Sequence, residues 1–153
     1  MTETVRGLAK SLRTAVFDYQ SLPDALQSLL GDYGQSSKIT CRVKAHPPDL
    51  DVQNPLKTVI YRIAQEAMTN VVRHSGASRC DVELRRTAKG IELRVTDNGS
   101  GADPSRLEGT ESLGIVGMKE RAAALGGELR VDNPRGRGVR VTARFPWPPA
   151  NQS

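Results

Sequence analysis

The fold is decided by residues 80–101, CDVELRRTAKGIELRVTDNGSG. In the first part Cys80, Val82 and Leu84 alternate with Asp81, Glu83 and Arg85. After Ala88-Lys89-Gly90 the alternation resumes, with Ile91, Leu93 and Val95 against Glu92, Arg94 and Thr96. A period of two marks a half-buried strand, and two such runs joined by a short glycine-bearing turn make a hairpin. The same parity places Asp97 on the face of Ile91, Leu93 and Val95, which is the core face. A carboxylate there must find hydrogen-bond donors or carry a heavy desolvation cost. Two readings stay open: Asp97 leaves the strand and caps the turn Asn98-Gly99, or it accepts a hydrogen bond from a buried ligand.

Upstream of the hairpin, Asn54-Pro55 opens a helix that the periodicity carries to about His74. Leu56, Val59, Ile60, Ile63, Ala64, Ala67 and Val71 form its apolar stripe. Arg62, Glu66, Asn70 and Arg73 (or His74) recur on a different face. That face is either an ordinary polar surface with ion pairs or a ligand-facing one. In the second case the Asn70 amide oxygen suits Mg²⁺, which prefers oxygen ligands and keeps waters and phosphates around it. Arg73 and His74 would then neutralise phosphate charge.

Downstream, residues 98–113 are polar, glycine-bearing and aperiodic, and a helix follows from about Gly114 to Leu125. Gly99 and Gly101 let the backbone come close to a ligand. Gly114-Ile115-Val116-Gly117 opens the helix, whose free N–H groups suit phosphate. Turns use such glycine pairs constantly. Only their combination around a polar loop points to a flexible lid over a nucleotide.

The remaining chain completes one domain. A helix is expected over Thr2–Val16, and a second begins at Ser21-Leu22-Pro23-Asp24, where Ser21 can cap and Pro23 tolerates the first turn. Leu26, Leu29, Leu30 and Tyr33 line that helix, and Gly34 is expected to stop it. Lys38 to Val43 alternates as a strand. Two closing strands, Glu128 to Val131 and Val139 to Phe145, flank a glycine-rich turn, and residues 148–153 read as a loose tail. Paired strands between helices give an α+β fold, a two-layer sandwich with a mixed, mostly antiparallel sheet of about five strands and three helices on one face.

Composition agrees. The 153 residues are 37% apolar but only 4% aromatic, so the core must be aliphatic. The net charge of +5 comes from scattered arginines with no basic run interleaved with aromatics, which reads as a solvated basic surface and not as a nucleic-acid face. Cys41 and Cys80 sit in apolar stripes and read as thiols, not as a disulfide. No apolar run is long enough to span a bilayer, and the chain is expected in the cytosol, free or as the cytosolic part of a longer membrane-anchored protein.

Together these stretches resemble the Bergerat-fold (GHKL) ATPases, the superfamily of gyrase, MutL and histidine kinases. Residues 65–74, QEAMTNVVRH, resemble its N box. Asp97-Asn98-Gly99-Ser100-Gly101 resembles the first glycine box, and residues 114–121, GIVGMKER, the second, in the short-lid form of nitrate-sensor-like and DesK-like histidine kinases. Gly136 to Val141 resembles the closing strand motif. Four boxes in the right order over about Leu22 to Pro146 make the match specific. The resemblance implies a catalytic domain, residues 21–147, that binds Mg-ATP and transfers its γ-phosphoryl group to a histidine. It implies that Asp97 binds the adenine amino group and that Asn70 holds Mg²⁺. Glu66 occupies the position of the water-activating base of hydrolytic members and would orient the metal-bound water in a kinase. Arg73 and His74 would meet phosphate, and Gly99, Gly101, Gly114, Val116, Gly117 and Met118 would line the nucleotide pocket.

Two departures qualify the match. The superfamily places Thr directly after the glycine of the last motif, where this chain has Val139, which implies one lost water-mediated adenine contact; strand parity puts Thr142 on the opposite face. No phosphoacceptor histidine precedes His46, although residues 4–13 resemble the second helix of a dimerisation hairpin, so residues 1–20 read as a remnant of one. The expected partners are the histidine-bearing dimerisation helices of the same kinase and a response regulator of the NarL/LuxR type, with this domain monomeric, the full kinase a homodimer, and no direct nucleic-acid contact. A serine kinase of the anti-sigma-factor type and a nucleotide-binding module without transferase activity are the alternatives.

Overall fold

The computed structural model describes residues 17–100, 113–134 and 136–147, apart from the side chains of His74, Ser75 and Leu113. The expected helix over Thr2–Val16, residues 101–112 of the expected lid, with Gly101, and the expected tail 148–153 lie outside the described residues. The elements run α1 (Leu22–Ser36), β1 (Thr40–His46), α2 (Leu56–Asn70), β2 (Arg79–Thr87), β3 (Gly90–Asp97), α3 (Leu113–Ala124), β4 (Glu128–Asp132) and β5 (Arg140–Pro146). The five strands form one sheet in the order β1-β2-β3-β5-β4. Only the β1–β2 pair is parallel. A parallel pair needs a crossover, and α2 supplies it.

Each helix has a local reason to start where it does. Ser21 Oγ accepts from the backbone N–H of Asp24 at 3.2 Å and caps α1. Gly34 does not stop this helix, which continues to Ser36. A single glycine costs a helix only about 1 kcal/mol, and Leu22, Leu26, Leu29 and Leu30 are buried against the sheet and α2, which outweighs that cost. The strand expected from Lys38 begins two residues later, at Thr40. Helix α2 does not run evenly to His74: Val71–Ser75 forms one turn of π-helix, closed by Gly76 in the left-handed conformation at φ 62°. Gly126, also left-handed, ends the chain's turn after α3.

The core lies between the inner sheet face and the helices. Leu56, Ile60, Ile63 and Met68 of α2 pack on Val82 and Leu84 of β2 and Ile91 and Leu93 of β3, all fully buried. Phe145 is the one aromatic side chain buried in it among the described residues, as the composition requires. Fully burying each such side chain contributes about 1.5–3 kcal/mol. Cys41 and Cys80 are free thiols and register neighbours across β1 and β2. Cys80 is buried with Sγ 3.5 Å from Met68 Sδ, whereas Cys41 is only half-buried. No helix among the described residues is long and apolar enough to cross a membrane.

One buried cation escaped the sequence reading. Lys57, in the first turn of α2, is only 6% exposed. Its Nζ donates to the carbonyls of Phe17 (2.8 Å) and Gln20 (2.5 Å) and lies 4.6 Å from the centroid of the Phe17 ring. The Phe17 ring in turn packs on Tyr61, with centroids 4.8 Å apart. Residues 17–19 are the end of a helix, so the lysine meets the negative pole of the incoming segment. Lys57→Met keeps the aliphatic stem and removes both hydrogen bonds. Thermal denaturation should show a loss of about 1–3 kcal/mol, where an unchanged midpoint would mean that the lysine does not anchor residues 17–20.

Candidate functional site

Asp97 ends β3 on the core face, as parity requires, and is 5% exposed. Its register partner on one side is Cys80, and its N–H donates to the Val139 carbonyl at 3.0 Å on the other. Its Oδ1 accepts from the Gly99 N–H at 2.8 Å. The capping reading therefore holds in part: the carboxylate caps the Asn98-Gly99 turn without leaving the inner face. Burial pushes the carboxyl above its ordinary value of 3.8, and the Gly99 and Val139 backbone groups oppose that rise.

The turn after Asp97 is fixed from two sides. Asn98 Oδ1 accepts from the N–H groups of Ser78 (3.0 Å) and Arg79 (2.9 Å), and its Nδ2 donates to Ser78 Oγ at 2.9 Å. The sequence reading assigned Asn98 no role; the structure makes it the clasp between the turn and the start of β2. Gly138 donates its N–H to the Gly99 carbonyl at 2.9 Å. Gly138 has φ 73°, and a Cβ there would run into the backbone carbonyl of Asp97. A side chain at 138 would thus push β5 off the end of β3.

Helix α2 presents the second group of residues. Glu66 and Asn70 are one turn apart and both half-buried. The Asn70 amide makes no side-chain hydrogen bond to any described residue. Nearby, Thr69 Oγ1 is 2.8 Å from Tyr33 OH, which ties this end of α2 to α1. Arg62 Nη1 donates to Gln65 Oε1 at 3.0 Å, so part of the polar face is ordinary. Arg73 lies in the π turn and is exposed. His74 is in the same turn, and its side chain lies outside the described residues. A π turn inside an α-helix often marks a functional site; here it follows Asn70 directly, and no periodicity in the sequence announces it.

Helix α3 meets α2 at Glu66. A Cβ on Gly114 would strike the Glu66 carboxylate, so the start of α3 sits against the α2 side chain only because residue 114 is glycine. Gly117, one turn on, has nothing within 4 Å of where its Cβ would be. Its missing side chain is not required by packing among the described residues. Val116 is 40% exposed, while Ile115 and Met118 belong to the core, Met118 being 1% exposed. The structure thus brings Glu66 and Gly114 into contact, and Asp97 with Gly99, Gly138 and Val139.

The comparisons with known proteins fit this geometry. Residues 56–149 match the sequence profile of the family described as histidine kinase-, DNA gyrase B-, and HSP90-like ATPase. The chain is 33% identical over 144 residues to the sensor histidine kinase MctS of Rhizobium johnstonii, which covers 93% of the chain and 31% of that protein. It is 32% identical over 143 residues to the sensor histidine kinase LnrJ of Bacillus subtilis, covering 94% of the chain and 34% of that protein. The chain therefore spans about a third of the length of these relatives. In fold it resembles the ATP-binding domain of PrrB from Mycobacterium tuberculosis, with a TM-score of 0.64 at 21% identity over 83% of the chain and 94% of that domain.

Two predictions follow from the geometry around Asp97. Gly138→Ala should cost well over 1 kcal/mol, because the new Cβ meets backbone at a left-handed φ; chemical denaturation would read it, and a neutral result would show that the β5 turn shifts freely. Asp97→Asn should behave in the opposite way. A carboxyl raised in the folded state binds more protons folded than unfolded, so its ionisation costs stability as pH rises through the raised value. That cost is absent below the ordinary value of 3.8. The ligand-free variant should therefore melt at or above the wild-type temperature at neutral pH, with the difference closing in acid. A variant that is less stable at pH 7 would mean that the ionised form is well solvated.

The profile match extends over more than half of the sequence, and this chain belongs to the histidine kinase-, DNA gyrase B-, and HSP90-like ATPase family.

Proposed function

We propose that this chain is the ATP-binding catalytic domain of a sensor histidine kinase, and that it passes the γ-phosphoryl group of Mg-ATP to a histidine on dimerisation helices of the same kinase. The observation that carries the reading is Asp97, a carboxylate 5% exposed at the inner end of a core strand, with its rise in pKa opposed only by backbone groups. Such a group is costly to bury and suits an adenine amino donor. The names of the two relatives, both sensor histidine kinases, favour this kinase class over the other members of the superfamily.

On this reading Asp97 accepts from the adenine amino group, and Gly99 and Gly117 leave room for the nucleotide. The first turn of α3 offers backbone N–H groups to the phosphates, and Arg73 and His74 supply positive charge. The half-buried Asn70 amide, without a side-chain hydrogen bond to any described residue, fits Mg²⁺, an oxygen-seeking cation that takes few protein ligands beside phosphate. Bound there, Mg²⁺ would neutralise developing phosphate charge. Glu66, held against Gly114, orients a water beside Asn70. Phosphoryl transfer needs little covalent help from a protein, so positioning is the whole task of these side chains. The same reading pairs the kinase with a response regulator of the NarL/LuxR type and sets the domain on the cytosolic side of a homodimeric enzyme.

Mixing the chain with a separately made histidine-bearing hairpin of such a kinase and γ-labelled ATP tests it. Acid-labile label should appear on the hairpin histidine, and Asn70→Ala should reduce it at least tenfold. Label on a serine of an added antagonist protein, or ATP binding with no transfer, would contradict the proposal.

A further inference from the structure

The outer face of the sheet, away from the helices and the site above, is built from charge. Three strands there form a grid. Thr142 of β5 is flanked across the sheet by Arg94 of β3 and Arg130 of β4. Along its own strand, the neighbours on the same face are Arg140 and Arg144. Four arginines thus surround one hydroxyl in a cross. Thr142 is 9% exposed, and its hydroxyl makes no hydrogen bond to any described residue. The five residues line a cavity of about 180 Å³ whose rim also carries Glu128 and Asp132.

The corner carboxylates are already engaged. Asp132 takes Arg140 at 2.8 Å, Glu92 takes Arg94 and Arg144 at 2.9 Å each, and Glu128 lies 3.8 Å from Arg144. They steady three of the arginines and leave one positive charge in excess. Donors remain unused. Arg130 has no ion pair with a described residue, and Arg94 Nε is buried without a hydrogen-bond partner among the described residues. An unsatisfied buried donor is costly, and ion pairs on a half-exposed surface return little of that cost.

We propose that this cavity is a binding site for a small phosphate-type oxyanion, held by Arg94, Arg130 and the Thr142 hydroxyl with Arg140 and Arg144 at its edges. The size decides against a nucleotide or other drug-sized ligand, whose clefts run from about 300 to 1,000 Å³. The arrangement decides against a carboxylate, which is planar and is served by a single guanidinium fork. Donors that converge from several directions suit a tetrahedral group, whose oxygens are spread in space. Bound there, one oxygen would accept from the Arg130 guanidinium and another from the Thr142 hydroxyl, and the excess charge would be neutralised.

The test uses inorganic phosphate as the probe, read by ¹⁵N resonances at Arg94 Nε–H and the amides of Thr142 and Arg130, with ionic strength held constant by chloride. Those positions should show saturable shifts with phosphate and not with chloride alone. Arg130→Ala and Thr142→Val should each weaken binding at least fivefold. Both variants keep the strand: residue 130 is exposed, and Val is isosteric with Thr. Local resonances separate this site from phosphate bound at the α3 end. A parallel sedimentation with phosphatidylglycerol vesicles distinguishes the source: binding that is lost in Thr142→Val would place the same phosphate chemistry on a lipid headgroup. Equal shifts with chloride, no saturation up to about 50 mM phosphate, or unchanged affinity in both variants would overturn the proposal.

Discussion

A carboxylate held inside the end of a β-strand is the constraint on which the rest of the site depends. Asp97 sits between Cys80 and the Val139 backbone, and Gly99 folds back to donate its N–H. To keep it there, the chain after β3 must turn at once, β5 must come in close, and no side chain may intervene. Asn98 secures the turn to β2, and Gly138 lets β5 approach. Burial works against this arrangement, because it disfavours the ionised form. A fold that retains such a group without a cation beside it gives up stability at the position where a ligand's donor would restore it.

The helices form a second cluster. α2 carries Glu66 and Asn70, and α3 starts against Glu66 because Gly114 has no side chain to keep it away. The π turn at Val71–Ser75 changes the helical register directly after Asn70. Lys57, at the other end of α2, fixes residues 17–20. One helix therefore joins the incoming chain to the candidate site.

Much of this was legible in the sequence, for identifiable reasons. Alternation in residues 80–97 is strong because one sheet face is core and the other solvent, so the parity that exposes Asp97 as odd is unambiguous. The stripe of α2 was equally clear, although it left out Met68, which follows Leu56, Ile60 and Ala64 at four-residue steps and is buried with them. Gly34 misled because glycine propensity is a weak local preference, and the leucines around it pack regardless. Lys57 and Asn98 could not be read at all: their partners, Phe17 and Gln20 in one case and Ser78 and Arg79 in the other, are distant in sequence. The same holds for the arginine cross, whose members lie on three strands and meet only through register.

β3 shows the economy of the design. Its inner residues Ile91, Leu93 and Val95 lead to Asp97, while its outer residues Glu92 and Arg94 belong to the charged grid. The aliphatic core between the layers needs little from the sequence beyond alternation, which leaves both ends of the strand and its outer face open to specific chemistry. Isothermal titration of Mg-ATP into the wild-type chain and into Asp97→Asn tests most directly whether the buried carboxylate is the adenine acceptor. Binding should be measurable in the first and lost in the second while both remain folded; equal affinity in the two would contradict it.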